Sequence, residues 1–252
     1  PGKVPMEPTG WLRILVDHAA LRDNARRFRE LVPPACRLLT LVGVGGIGKT
    51  RLALAATDGN IARFVDGACF IPFAGLTPAQ SENSTDLVLN SIANALGYTF
   101  DAQQDPHTIL LNYLANKRLL LICDNFEHLQ AAATLLEEVV LAAPGVQILV
   151  TSRKRLGVKH EWLYDVTGLA YATDGERGRC ACTYPAAALF ARCAQQIKVD
   201  FDPVAEADHI HKICRVLEGW PLSIELAASW LRLLPCTAIA ERLQDDVMLL
   251  DA

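Results

Sequence analysis

The sequence predicts an α/β fold, with a parallel sheet covered by helices on both faces and then a small all-α region. Three observations predict it. From Pro33 to about Val166, short continuous apolar runs alternate with longer amphipathic ones, the pattern of crossover units around a buried parallel sheet. After Val166 only helical spacing remains. Between the first apolar run and the first helix, glycine is concentrated in a single turn.

The elements follow in order. Arg37 to Val42 (RLLTLV) is a buried-strand run, and Lys49 to Thr57 is helix-like. Ala68 to Phe73 reads as a second strand, closed by Gly75 and Pro78. Ser84 to Leu96 places Leu87, Val88, Ile92, Ala95 and Leu96 at helical spacing. Pro106 opens a helix reaching Ala115, with Asp105 as its N-cap. Leu119 to Cys123 is a third strand, Leu129 to Leu141 a helix, Gln147 to Thr151 a fourth strand and Trp162 to Val166 a fifth. Helices are then expected over Tyr184 to Ile197, Val204 to Leu217, Pro221 to Leu234 and Thr237 to Asp245, punctuated by Pro203, Pro221 and Pro235. Four units result: an N-terminal segment with a helix (1–32), the α/β domain (33–166), a Gly- and Thr-rich linker or exposed loop (167–183) and a helical domain (184–252).

Composition narrows the function classes. The 252 residues are 51% hydrophobic and 21% charged, which excludes a disordered chain and supplies a core. Net charge is −4 and the pI near 5.9, so no basic nucleic-acid footprint is expected. No apolar run approaches the roughly 18 residues that span a bilayer, and no secretory signal opens the chain. A soluble, cytoplasmic protein without membrane contact is expected. The chain starts at Pro1 rather than Met, so it reads as trimmed from a longer one.

The 8 cysteines are too sparse for a disulfide scaffold. Cys69, Cys123 and Cys214 sit in apolar runs, where Cys packs as a small hydrophobe. Cys180 and Cys182 with His209 and His211 suggest zinc, but C-x-C and H-x-H are not its usual spacings. Ordinary thiols are the expectation.

Chemistry concentrates at Gly43 to Thr50, GVGGIGKT, which matches G-x-x-x-x-G-K-[ST] at every specified position. With glycine near 7% of average usage, chance gives this pattern in roughly one chain of this size in a hundred. A strand before it and a helix after it supply the context of a phosphate loop, and with it a P-loop NTPase fold. Gly43, Gly45, Gly46 and Gly48 let backbone N–H groups converge on an anion at a helix N-terminus. Ile47 and Arg51 complete the candidate binding stretch. Lys49 supplies a charge for the β- and γ-phosphates, and Thr50 a hydroxyl for Mg²⁺. Each hydrogen bond to a charged oxygen contributes about 1.5–3 kcal/mol. A plain Gly-rich turn does not explain Lys and Thr at those offsets.

Asp124 directly follows the third apolar run, where a P-loop fold places an acid that helps to hold Mg²⁺. Asn125, not a second carboxylate, comes next. Glu127 is a candidate catalytic base, or else an acidic first-turn residue of the next helix. Arg153 ends the QILVTSR strand and so faces the ligand crevice. It is a candidate γ-phosphate sensor, or a solvated helix-start residue beside Lys154 and Arg155.

RLLTLVGVGGIGKTRLAL, LLLICDNFEHL, ILVTSR and ICRVLEGWPLSIELAA, in that order over residues 37–234, together resemble the STAND-class signalling ATPases. These are NB-ARC-like relatives of apoptosis and plant-immunity ATPases, here in the style of the bacterial transcriptional-regulator branch. The resemblance implies an ATP/ADP switch with slow Mg²⁺-dependent hydrolysis, closed with ADP and opening or assembling with ATP. It also implies an adenine nucleotide as ligand, C-terminal winged-helix and helical-repeat sensor domains, and an ATP-dependent homo-oligomer; direct nucleic-acid binding by this region is disfavoured by the acidic balance. Gly219-Trp220-Pro221-Leu222 is similar to the group's Gly-Leu-Pro-Leu motif, whose Pro packs near base or ribose; Pro is equally favoured at the start of any helix. Trp220 replaces the usual Leu. Val16-Asp17-His18-Ala19 lacks the Arg of the group's Gly-Arg-Glu segment. A P-loop turnover enzyme such as a kinase or a constitutive ATPase is the alternative, although no cluster of lid arginines is visible.

Overall fold

A computed structural model of the chain describes residues 36–58, 61–76, 83–99, 105–173 and 183–250, with side chains as far as 245. The expected N-terminal helix, Pro78, the stretch at Val16 to Ala19 and the Cys180–Cys182 pair lie outside the described residues.

The elements are β1 (Leu38–Val42), α1 (Lys49–Asp58), β2 (Ala68–Pro72), α2 (Ser84–Ala95), α3 (Pro106–Leu114), β3 (Leu120–Asp124), α4 (Ala133–Ala142), β4 (Gln147–Ser152), β5 (Glu161–Asp165), α5 (Pro185–Ile197), α6 (Ala207–Val216), α7 (Pro221–Ser229) and α8 (Cys236–Leu250). All sheet pairings are parallel, in the order β2-β3-β4-β1-β5. Val42 pairs with Ser152 and Asp165, and Asp124 with Pro72, so the carboxyl ends of the strands lie along one rim.

The interior strands β1, β3 and β4 are buried on both faces because their apolar runs are continuous, whereas the edge strands β2 and β5 are mostly half-buried or exposed. Leu38, Leu121, Cys123, Ile148 and Val150 project to one side, onto Val88, Leu110, Leu136 and Val139 of α2, α3 and α4. Their chain neighbours Leu39, Leu41, Leu120, Ile122 and Leu149 project to the other, onto Leu52, Ala53 and Ala56 of α1. A separate core joins α5 to α8 through Phe190, Ile210, Ile213, Ile224 and Ile239.

Local signals act as expected in several places. Asp105 caps α3, its carboxylate accepting the Thr108 N–H at 3.1 Å, with Pro106 at the first helical position. Asn83 caps α2 in the same manner. Elsewhere boundaries move. The helix expected from Val204 begins at Ala207, because the Asp202 carboxylate accepts the N–H groups of Val204 and Ala205 and makes a turn. Two 3₁₀ turns, Phe126–His128 and Gln130–Ala132, precede α4 and follow the left-handed Asn125, so the helix expected from Leu129 begins at Ala133. The helix expected to reach Leu234 ends at Ser229 and continues as one 3₁₀ turn, Trp230–Arg232. The last helix runs to Leu250 rather than Asp245, since no Gly or Pro interrupts it.

Within 167–183, the described residues 167–173 lie against the helical region. Leu169 N–H donates to the Gly219 carbonyl at 2.8 Å, and Ala186 N–H to Ala170 at 3.1 Å. Gly219 has φ +69° and its Cα faces the Leu169 backbone so closely that a Cβ would collide. Only glycine satisfies both demands, which explains the first residue of GWPL.

Candidate functional site

The loop from Gly43 to Gly48 links β1, a buried interior strand between β4 and β5, to the start of α1, so its position is fixed at both ends. Gly46 and Gly48 have φ +77° and +99°, a conformation that side chains resist. Ile47 is buried and anchors the turn, its Cγ2 packed under Gly43. The Lys49 ammonium crosses the loop and donates to the carbonyls of Gly43 (2.7 Å) and Val44 (2.9 Å). Burial lowers the Lys49 pKa below the usual lysine value; Glu127 and Asp124 oppose this and Arg153 adds to it.

Asp124 ends β3. The sheet order inserts β4 between β1 and β3, so Asp124 is not on the strand next to the loop. It is reached by two hydroxyls. Thr50 Oγ1 donates to Asp124 Oδ1 at 2.6 Å, and Thr151 Oγ1, from β4, donates to the same oxygen at 2.7 Å. The Thr151 hydroxyl also accepts the Asn125 N–H at 2.9 Å.

Arg153 Nε lies 3.1 Å from Glu127 Oε1, and its guanidinium stacks against Gly45, 3.5 Å from where a Cβ would stand. Glu127 is nearly buried, on the 3₁₀ turn Phe126–His128, and its Oε2 is buried without a hydrogen-bond partner. A carboxylate oxygen held that way has unused acceptor capacity, and leaving it so is costly.

From the helical region, the start of α7 meets the loop. Leu222 N–H donates to the Gly46 carbonyl at 3.3 Å, buried Pro221 faces Gly48, and Arg51 Nη1 pairs with Glu225 Oε1 at 2.6 Å. Together these residues enclose a cleft of about 320 Å³, lined by Gly45, Gly46, Gly48, Lys49, Thr50, Arg51, Asn125, Glu127, Thr151, Arg153, Pro221, Leu222 and Glu225. That volume falls in the range of small-molecule sites. Of the expected residues, Gly43 and Ile47 support the loop from behind, and Asp124 lies beneath Thr50 and Thr151. Thr50 and Asp124 are hard oxygen donors of the kind Mg²⁺ takes, and the orphaned Glu127 oxygen adds acceptor capacity nearby, so the residues fit such an ion.

Sequence reasoning missed Thr151, Leu222 and Glu225. A signal existed for Thr151, a polar residue in an apolar strand run. Glu225 is one helical turn past Pro221, but nothing local paired it with Arg51. Among the described residues, no group of three His, Cys, Asp or Glu could hold a metal; His209 pairs with Glu206, and His211 stacks edge-on to Tyr184. Burial pushes the Cys36 thiol up to about 11 and those of Cys214 and Cys236 to about 12.

No family model matches the chain. It is 33% identical over 216 residues, 85% of its length, to a candidate HTH-type transcriptional regulator of Mycobacterium tuberculosis, of which it covers 22%. It is 28% identical over 216 residues to regulatory protein AfsR of Streptomyces coelicolor, covering 20% of that protein. The chain thus spans about a fifth of the length of these two relatives. Among solved structures, a Signal Transduction ATPase with Numerous Domains (STAND) protein with a tetratricopeptide repeat sensor from Pyrococcus horikoshii superposes with a TM-score of 0.54 at 15% identity, over 94% of this chain and 34% of that one. Drosophila ORC bound to DNA gives 0.51 at 14% identity, over 91% of this chain and 70% of that one. The fold is that of the P-loop NTPases, with an all-α region following the sheet. No helix among the described residues is long and apolar enough to cross a membrane.

Proposed function

We propose that the chain is the nucleotide-binding switch of a STAND-class regulator, binding ATP and ADP and hydrolysing ATP slowly. Residues 33–166 form its nucleotide unit and 184–252 its helical unit. One observation carries the reading: phosphate loop, Glu127, Arg153 and the start of α7 converge on a single cleft, with Asp124 held against its Thr50. The regulatory relatives support the regulatory part of it.

Each residue then has a task. The loop amides and Lys49 bind the polyphosphate. Thr50 and Asp124 would hold Mg²⁺, which when bound neutralises charge on the β- and γ-phosphate oxygens. Glu127 accepts a proton from the attacking water through its unpartnered oxygen. Arg153 at present neutralises Glu127 and lies along the loop; a γ-phosphate competes for its guanidinium by bidentate contact. That exchange alters the loop wall on which α7 rests, and so links nucleotide identity to the helical unit. Full reversal of such an equilibrium needs roughly 5.5 kcal/mol of differential binding.

The test is to release and identify co-purified nucleotide, then measure steady-state hydrolysis. Bound ADP with turnover below about one per second, the low end for kinases, is expected. Faster turnover with no partner present would point instead to a turnover enzyme, and a protein that binds neither ADP nor ATP would end the reading.

A further inference from the structure

We propose that Thr151 is a positioning residue for the cation-binding carboxylate of Asp124, a role that rests on the nucleotide-switch reading above. Thr151 is 1% exposed and is the penultimate residue of β4, the strand between the loop strand β1 and the Asp124 strand β3. Its single hydroxyl proton goes to Asp124 Oδ1 at 2.7 Å, while its oxygen accepts the Asn125 N–H at 2.9 Å. Thr50 donates to the same Oδ1 at 2.6 Å.

Two consequences follow. Oδ1 is engaged by two donors on different elements, which fixes the plane of the carboxylate; among the described residues Oδ2 takes no hydrogen bond and keeps its capacity for a hard cation. Thr50, having given its proton to Asp124, keeps oxygen lone pairs for that cation. The same hydroxyl holds Asn125, whose φ of +63° is uncommon for a residue with a side chain. Thr151 therefore sets the direction of Asp124 and the turn that leads to Glu127, without itself touching the ion.

A purely structural tie between strands would weaken all nucleotide binding alike, whereas a positioning role acts on the Mg²⁺-dependent part. Calorimetric titration with a nonhydrolysable ATP analogue, in Mg²⁺ and in EDTA, separates them. Groups that orient metal ligands typically contribute 10–100-fold in affinity, so Thr151→Val should lose roughly tenfold or more of the Mg²⁺-dependent gain while the EDTA affinity holds. Thr151→Ser, which keeps the hydroxyl, should restore the gain; Thr151→Ala replaces the Val variant if that does not fold. Equal losses in Mg²⁺ and EDTA, an undiminished gain in Thr151→Val, or wild-type binding that ignores Mg²⁺ would each overturn the proposal. A wild type that binds neither ADP nor the analogue would strike the nucleotide reading itself.

Discussion

Arg51 and Glu225, 174 residues apart in sequence, face each other at 2.6 Å. Arg51 is the third residue of α1, directly after Thr50, and Glu225 is one turn inside α7, so the pair ties the phosphate-loop helix to the helical region. Both side chains are about one-third exposed, and pairs in that setting contribute about 0.2–1 kcal/mol. Glu225→Gln should therefore barely move the urea midpoint. Limited proteolysis should still detect faster cleavage between the two regions, and the swap Arg51→Glu with Glu225→Arg should return it to the wild-type rate. No change in cleavage, or no recovery in the swap, would show that the pair ties nothing.

Lys49 illustrates a charge kept at a cost. Its pKa is lowered from the usual 10.5, chiefly by burial. The unfolded state consequently binds more protons just below that pH, so stability rises with pH through this window. Lys49→Met should abolish that rise and, at pH 7, the increase in melting temperature produced by ADP. Melting curves of both proteins at pH 7 and across the alkaline range decide it; a full ADP shift in the variant would contradict the loop assignment.

The strands and the loop were legible because their signals are local. LLTLV, LLICD and QILVTS are continuous apolar runs that fit only a sheet covered twice, and GVGGIGKT carries its own spacing. Thr151 was half legible, as a hydroxyl where apolar residues prevail, but its partner Asp124 lies on the next strand and depends on strand order. Glu225 and Leu222 were not legible as site residues, since their partners Arg51 and Gly46 are brought to them only by tertiary packing. The start of α6 moved because the Asp202 carboxylate captured the Val204 and Ala205 amides, a local competition that helical spacing does not show.

Glu127 and Arg153 neutralise each other at 3.1 Å, so removing one alters the other. Glu127→Gln keeps the shape and loses the base, and should slow single-turnover hydrolysis about 10²–10⁴-fold, the usual contribution of general base catalysis. ADP affinity should be little changed. Arg153→Ala leaves a nearly buried carboxylate unpaired and should slow hydrolysis while narrowing the preference for ATP over ADP. Hydrolysis at the wild-type rate in Glu127→Gln would return Glu127 to the role of an acidic first-turn residue.

Gly46 offers a test of how tightly the loop and the helical region are packed. Its φ is +77°, and a Cβ there would lie 2.7 Å from both Cβ and Cδ2 of Leu222. Strain of the first kind costs about 1–3 kcal/mol and is intrinsic to the backbone. The second kind depends on its neighbour, for Leu222 is half-exposed and its side chain is free to move away. Gly46→Ala should thus destabilise the protein, and Leu222→Ala in that background should recover part of the loss, since removing Cδ2 relieves one contact while Cβ remains. Unfolding of the single and double variants in urea gives the coupling energy. Strict additivity would mean that the Leu222 atoms beyond Cβ yield without cost, leaving the loss to the backbone strain and the remaining Cβ contact.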